Sequence, residues 1–272
     1  MIDSFIQMFS YSFMVRALIT GLFISACASV IGVNLVLNHF SMMGDGLSHV
    51  GFGALALAVV LNSSPLYFSL PAVMLCSFFL LSIKGSAKLQ SDAAIALLST
   101  ASLAAGVMIL SLSKGLNSDV CNYLFGSILG MKISDMYVSV GLCSLILLIY
   151  LLFYHKFFAI TFDENFSRAI GIKVRTYNLA LALMSSVIIV LGMRMMGALL
   201  ISNLIVIPAI TAMTICKSYK VVVLYSLFIS IFCFVSGLYI SYEYSTPTGA
   251  SIVLCNVTLF VMHLFYRKIF CS

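Results

Sequence analysis

Charge is what this 272-residue sequence has least of. Only 8% of its residues are Asp, Glu, Lys or Arg, against 62% hydrophobic, where a soluble domain carries about 25% charged residues. That scarcity excludes an ordinary water-soluble fold, and no segment is long and polar enough to form a separate soluble domain. Other absences narrow the function. There is no G-x-x-x-x-G-K-[ST] run, so the chain has no phosphate-cradling loop with which to hydrolyse ATP itself. There is no H-E-x-x-H run, which removes the usual signature of a zinc protease. The eight cysteines form no C-x-x-C pair; Cys27, Cys76, Cys143, Cys233 and Cys255 lie in apolar runs, where Cys behaves as a small hydrophobe, and no disulfide framework is expected. The first ten residues lack the basic n-region of a secretory signal, so the first span is expected to direct insertion. No repeat of 20–50 residues and no low-complexity tract is present.

What remains is a series of apolar runs of 18 or more residues, the mark of an all-α, polytopic helical membrane protein forming one domain over 1–272. Spans are predicted at 12–37, 43–61, 65–83, 91–113, 133–154, 177–193, 197–216, 221–241 and 249–266. The break between the sixth and seventh is weak, which leaves eight or nine spans open. The stretch 119–131 is too short to cross and reads as an interfacial or re-entrant helix. Lys84 and Lys88, the cluster His155, Lys156, Arg168, Lys173 and Arg175, then Lys217 and Lys220, and finally Arg267 and Lys268 mark the cytoplasmic side. Nine spans put the N-terminus outside and eight put it inside. Lys114, Lys132 and Arg194 stand as exceptions on the outer side. The net charge of +6 therefore reflects membrane orientation, not nucleic-acid binding.

One polar feature interrupts the second apolar run. In Gly44-Asp45-Gly46-Leu47-Ser48-His49, the spacing puts Asp45 and His49 on one helical face, one turn apart. A carboxylate near mid-bilayer costs about 2.5–3.5 kcal/mol on insertion scales, so such residues usually face a cavity or pathway. A carboxylate with an imidazole is a ligand set for zinc, manganese or iron(II). The plainer reading is an intrahelical polar pair near the cytoplasmic interface, satisfied by water or by Ser48. A zinc-like ion prefers four ligands, so two protein ligands are few, and a homodimer with this helix at its two-fold axis would supply two aspartates and two histidines. The small residues at 44, 46, 51, 53, 54, 56 and 58 permit close helix approach at such an interface. His39, His155 and His263 lie near helix ends and read as interfacial.

Two further segments carry signals. The longest polar loop, 155–176, centres on Asp163, Glu164 and Arg168 and stops at Gly171, the pattern of one short helix at 162–172. It is either a plain linker or a helix that takes up force from a partner ATPase. Ser202, Asn203 and Pro208 interrupt another apolar helix, as a packing kink or as a moving segment lining a pathway. Glu243 sits in an outer turn ahead of Pro247 and Gly249 and reads as a solvated carboxylate.

Taken together these stretches resemble the permease subunit of the zinc/manganese/iron family of ABC importers. The 44–49 stretch is similar to that family's "GDaLSHa" signature, and 162–172 to its "fDeefAralGi" coupling segment. The run 200–212 is similar to "llvsaLLiiPaaTA", and 241–254 to "Sy…PsGaaivl". Where the family commonly has two arginines before the signature, this chain has Asn38-His39. The resemblance covers nearly the whole chain. It implies a homodimeric permease in the cytoplasmic membrane of a prokaryote, surrounded by lipid and hydrolysing nothing itself. ATP would act on separate cytoplasmic ATPase subunits, and an extracytoplasmic metal-binding protein would deliver the cargo. Asp45 and His49 would hold the divalent metal in transit, zinc favoured by the style of the 44–58 stretch. Ser48, Ser202 and Asn203 would line the pathway. Asp163, Glu164, Arg168 and Gly171, within a coupling segment at about 160–174, would meet the ATPase. The rival class is an ion-coupled secondary metal transporter, which needs no ATPase and often shows paired discontinuous helices; no such pairing is visible.

Overall fold

The apolar runs become helices because a backbone without water must satisfy its polar groups internally. A computed structural model describes residues 10–83, 91–113, 126 and 133–270, and among these there are eleven α-helices and no strand. They are α1 (Ser12–Leu37), α2 (Ser41–Val60), α3 (Pro65–Ile83), α4 (Ser91–Leu112), α5 (Ile133–Leu152), α6 (Tyr154–Phe162), α7 (Glu164–Ala169), α8 (Val174–Met196), α9 (Ala198–Ile215), α10 (Tyr219–Tyr244) and α11 (Thr248–Phe270). Seven of the described helices are long and apolar enough to cross a membrane: α1, α2, α4, α5, α8, α10 and α11. Two shorter apolar segments, Pro65–Leu81 and Leu200–Ile215, lie in α3 and α9. Each of these two helices contains a proline, Pro71 or Pro208, which removes one rung of the helical ladder. The expected eight or nine spans are thus seven full-length helices and two shorter ones.

The weak break in the sequence is a real reversal. Gly197 ends α8 and begins α9 at φ 92°, a conformation that a side chain would strain. One residue therefore turns the chain between two packed helices. The segments containing Lys84, Lys88, Lys114 and Lys132, and the predicted re-entrant helix at 119–131 apart from Gly126, lie outside the described residues.

Layering follows burial. The helices α1, α2 and α8 are apolar almost all round and mostly buried, as befits the centre of a bundle. α9 packs among them, with Ile201, Leu204, Ile205, Ala209 and Ala212 all in the core. The peripheral helices α4, α5 and α11 keep large apolar side chains outside, among them Leu97, Met108, Leu148, Leu151, Met262 and Phe265. Acyl chains are the natural cover for such faces in a membrane protein.

The polar loop forms two helices, α6 and α7, in place of the single one read from sequence. Asp163 explains the difference. At φ −151°, ψ 104° it ends α6 in extended conformation and immediately caps α7, its carboxylate accepting the Phe166 N–H at 2.9 Å. Such a cap contributes about 1 kcal/mol. Gly171, at φ 85°, follows the end of α7 as expected of a glycine stop.

Candidate functional site

The candidate site starts with the position of α2, one of the three helices most enclosed by the rest of the chain. Its small residues are accounted for inside that subunit. A β-carbon at Gly46 would lie 2.5 Å from the Ile95 side chain, at Gly51 2.8 Å from Met193, and at Gly53 2.8 Å from the Ser102 carbonyl oxygen. The glycine-rich surface thus seats α2 against α4 and α8. The expected use of these residues at a contact between two copies is not needed to explain them.

Asp45 and His49 do share one face. His49 Nε2 lies 3.6 Å from Asp45 Oδ1, too far for a hydrogen bond. Two tetrahedral ligands at about 2.1 Å from one ion are separated by about 3.4 Å, so the gap suits a shared cation. The imidazole is 10% exposed and the carboxylate 50%. His49 Nδ1 is buried with no hydrogen-bond partner among the described residues, whereas a metal-ligating histidine usually hydrogen-bonds through the ring nitrogen that does not face the ion. No group of three or more His, Cys, Asp or Glu able to hold a metal occurs among the described residues, so the pair is the candidate.

Around the pair, Gly44 packs beside Ser202 on α9, and Gly51 beside Met193 on α8. Asp45 lies in the second turn of α2.

The expected pathway residues divide. Ser48 is fully buried, and its hydroxyl donates to the Asp45 carbonyl at 2.7 Å, one turn back along its own helix. It braces α2 and does not present its hydroxyl to a passage. Ser202 is 8% exposed, adjacent to Gly44 and so one residue from Asp45 in the α2 sequence. Asn203 follows it on α9, half-buried.

At the cytoplasmic end, the four residues expected to meet an ATPase shape the loop helix. Asp163 caps it, Gly171 stops it, and Glu164 pairs with Arg168 one turn later. Facing water beside them are Phe162, Phe166 and Ile170, at 84%, 60% and 56% exposure. Three large apolar side chains four residues apart leave an exposed apolar stripe on this loop. Sequence reasoning missed them, although their spacing was visible.

Two other polar clusters were also missed. Arg194 Nη1 lies 3.0 Å from Asp135 Oδ2, both largely buried, joining the end of α8 to the start of α5. Arg194 broke the loop-charge rule, and a cation on the wrong side calls for such a partner. The second cluster gathers around Asn34, deep in α1. His263, expected to snorkel, is held at both nitrogens, by the Leu259 carbonyl at 2.8 Å and the Tyr225 hydroxyl at 2.7 Å.

Comparison with known proteins places these features in a family. The profile of the ABC 3 transport family matches residues 10–267. The chain is 32% identical over 266 residues to the manganese import system permease protein ScaB of Streptococcus gordonii, covering 97% of this chain and 95% of that one. It is 27% identical to the high-affinity zinc uptake system membrane protein ZnuB of Haemophilus influenzae, over 93% and 97% of the two chains. A solved structure, PsaBC from Streptococcus pneumoniae in complex with Fab, superposes with a TM-score of 0.88 at 29% identity over 99% of both chains.

Proposed function

The chain belongs to the ABC 3 transport family, and on that premise we propose that it is the membrane permease of an ATP-driven importer of divalent metal ions. The cargo is manganese or zinc. Zinc was the choice from sequence, but relatives include import proteins for both metals, and an Asp–His pair accepts either. The observation that carries the cargo assignment is the Asp45–His49 pair, a half-exposed carboxylate 3.6 Å from a nearly buried imidazole on one face of a membrane helix.

Two copies of the chain work together. One chain offers two ligands where a zinc-like ion favours about four, and the Asp45 carboxylate is half open while most of α2 around it is buried. Facing copies would bring two carboxylates and two imidazoles to one ion. Such a site must hold the ion loosely enough to release it. Separate ATPase subunits dock on the Phe162, Phe166 and Ile170 stripe, and an extracytoplasmic metal-binding protein delivers the ion.

The test is accumulation of zinc, manganese and iron in cells lacking this chain, measured together, with and without a chain restored. A deficit in manganese or zinc, repaired only when an intact ATPase partner is co-expressed, is the expected result. Repair without any ATPase would move the chain to the class of ion-coupled transporters, and an unchanged content of all three metals would remove the cargo assignment.

A further inference from the structure

A hydrogen-bond cluster ties α6, the first of the loop helices, to the end of α1, which leads by a short turn into the helix that carries Asp45 and His49. At its centre Asn34, fully buried in α1, accepts the Tyr219 hydroxyl at 2.7 Å and the Thr161 hydroxyl at 3.2 Å on Oδ1. Its Nδ2 donates to the Val30 carbonyl at 3.0 Å and to the Tyr150 hydroxyl at 3.2 Å. The two tyrosine hydroxyls are 2.8 Å apart. Asn38, one turn further along α1, donates to Thr161 Oγ1 at 3.2 Å and to the Asn34 carbonyl at 2.9 Å. Five side chains thus tie α1 to α5, α6 and α10.

Placement gives the cluster its interest. Thr161 immediately precedes Phe162, the most exposed residue of the docking stripe. Asn38 is the C-cap of α1 and opens the three-residue turn into α2, with His39 at φ 60°. Asp45 follows in the second turn of α2. One continuous route from the exposed stripe to the proposed metal ligands runs Phe162, Thr161, Asn38, the turn, Asp45. The aromatic rings of Tyr150 and Phe157 stack alongside at 5.6 Å. A small cavity of about 10 Å³ touches Asn38, Phe40, Met43 and Asn178 beside the turn.

Asn34 and Tyr150 are buried, and Asn38, Thr161 and Tyr219 are half-buried. Losing a hydroxyl at the rim leaves the buried Asn34 amide without that partner, a cost of about 1–3 kcal/mol, so the bonds on Asn34 couple the positions of the helices that supply them. The geometry points to Asn34, Asn38, Thr161 and Tyr219 as positioning residues that convert movement of the loop helices into movement of the α1–α2 turn, and so of the metal pair. This assignment rests on the proposed ATP-driven importer. It names residues that touch neither nucleotide nor metal.

The experiment uses the whole complex, permease with its ATPase and metal-binding partner, in lipid vesicles. Metal taken up per ATP hydrolysed is measured for wild type, Thr161→Val, Thr161→Ser and Tyr219→Phe. Valine keeps the shape of threonine and loses the hydroxyl; serine keeps the hydroxyl. Thr161→Val and Tyr219→Phe should assemble and hydrolyse ATP, and their metal-to-ATP ratio should fall about fivefold or more. Thr161→Ser should restore it. A ratio equal to wild type in both hydroxyl-free variants overturns the inference, as does their failure to assemble while Thr161→Ser assembles, since the cluster would then serve folding alone. Wild type showing no ATP-dependent uptake at all would instead overturn the importer reading.

Discussion

Asp45 and His49 are two side chains whose type and spacing were legible in the sequence and whose environment was not. Periodicity put them on one face; only packing reveals that the imidazole is nearly closed off and the carboxylate half open. Asp45→Asn removes the charge while keeping the size, and His49→Ala removes a ligand. Each should lower metal uptake about a hundredfold or more, since losing even a group that only orients a ligand costs a metal site about 10–100-fold, with membrane insertion unchanged. Isotope uptake with matched protein levels checks this. Ser48→Ala should cost little, since its hydroxyl only returns to the Asp45 carbonyl; a loss as large as that of Asp45→Asn would restore Ser48 to the pathway. Arg194 and Asp135 make the complementary case. Removing one member leaves the other charged and largely buried, a destabilisation of roughly 2–3 kcal/mol. Asp135→Leu should lower the unfolding temperature of the purified complex, and the exchange Asp135→Arg with Arg194→Asp should recover most of it. Only Arg194 was marked out by sequence. Nothing in the first turn of α5 announced which residue would reach it.

At the scale of elements, helices were legible because apolar runs of this length have no other stable form in lipid. The two short helices of the cytoplasmic loop were read as one, because acidic residues at 163 and 164 favour a helix start without saying what precedes it. Asp163 caps one helix by ending another. The proposed docking stripe can be separated from helix stability by magnitude. Arg168→Glu places like charges one turn apart, which costs about 0.3–0.5 kcal/mol within the helix. Phe166→Asp removes an exposed apolar contact, and a buried Phe contributes about 1.5–3 kcal/mol. Phe166→Asp should therefore weaken ATPase association about tenfold or more, measured by co-purification over a concentration series. An unchanged association would move the docking surface elsewhere. Gly171→Val should also impair coupling, because φ 85° suits glycine and strains a β-branched residue by about 1–3 kcal/mol.

For the molecule as a whole, the sequence indicated a bundle and small residues for close helix approach, without saying which helix they approach. Gly46, Gly51 and Gly53 seat α2 within its own subunit, so the argument for facing copies rests on ligand number and on the open Asp45 carboxylate. That makes shared coordination the central claim, and mixed dimers test it directly. Two differently tagged copies, one wild type and one carrying Asp45→Asn with His49→Ala, are co-expressed, purified through both tags with their ATPase, and reconstituted for metal uptake. A shared site predicts that mixed dimers transport no faster than dimers altered in both copies. Transport at about half the wild-type rate would mean that each Asp45–His49 pair acts alone, and would contradict the account.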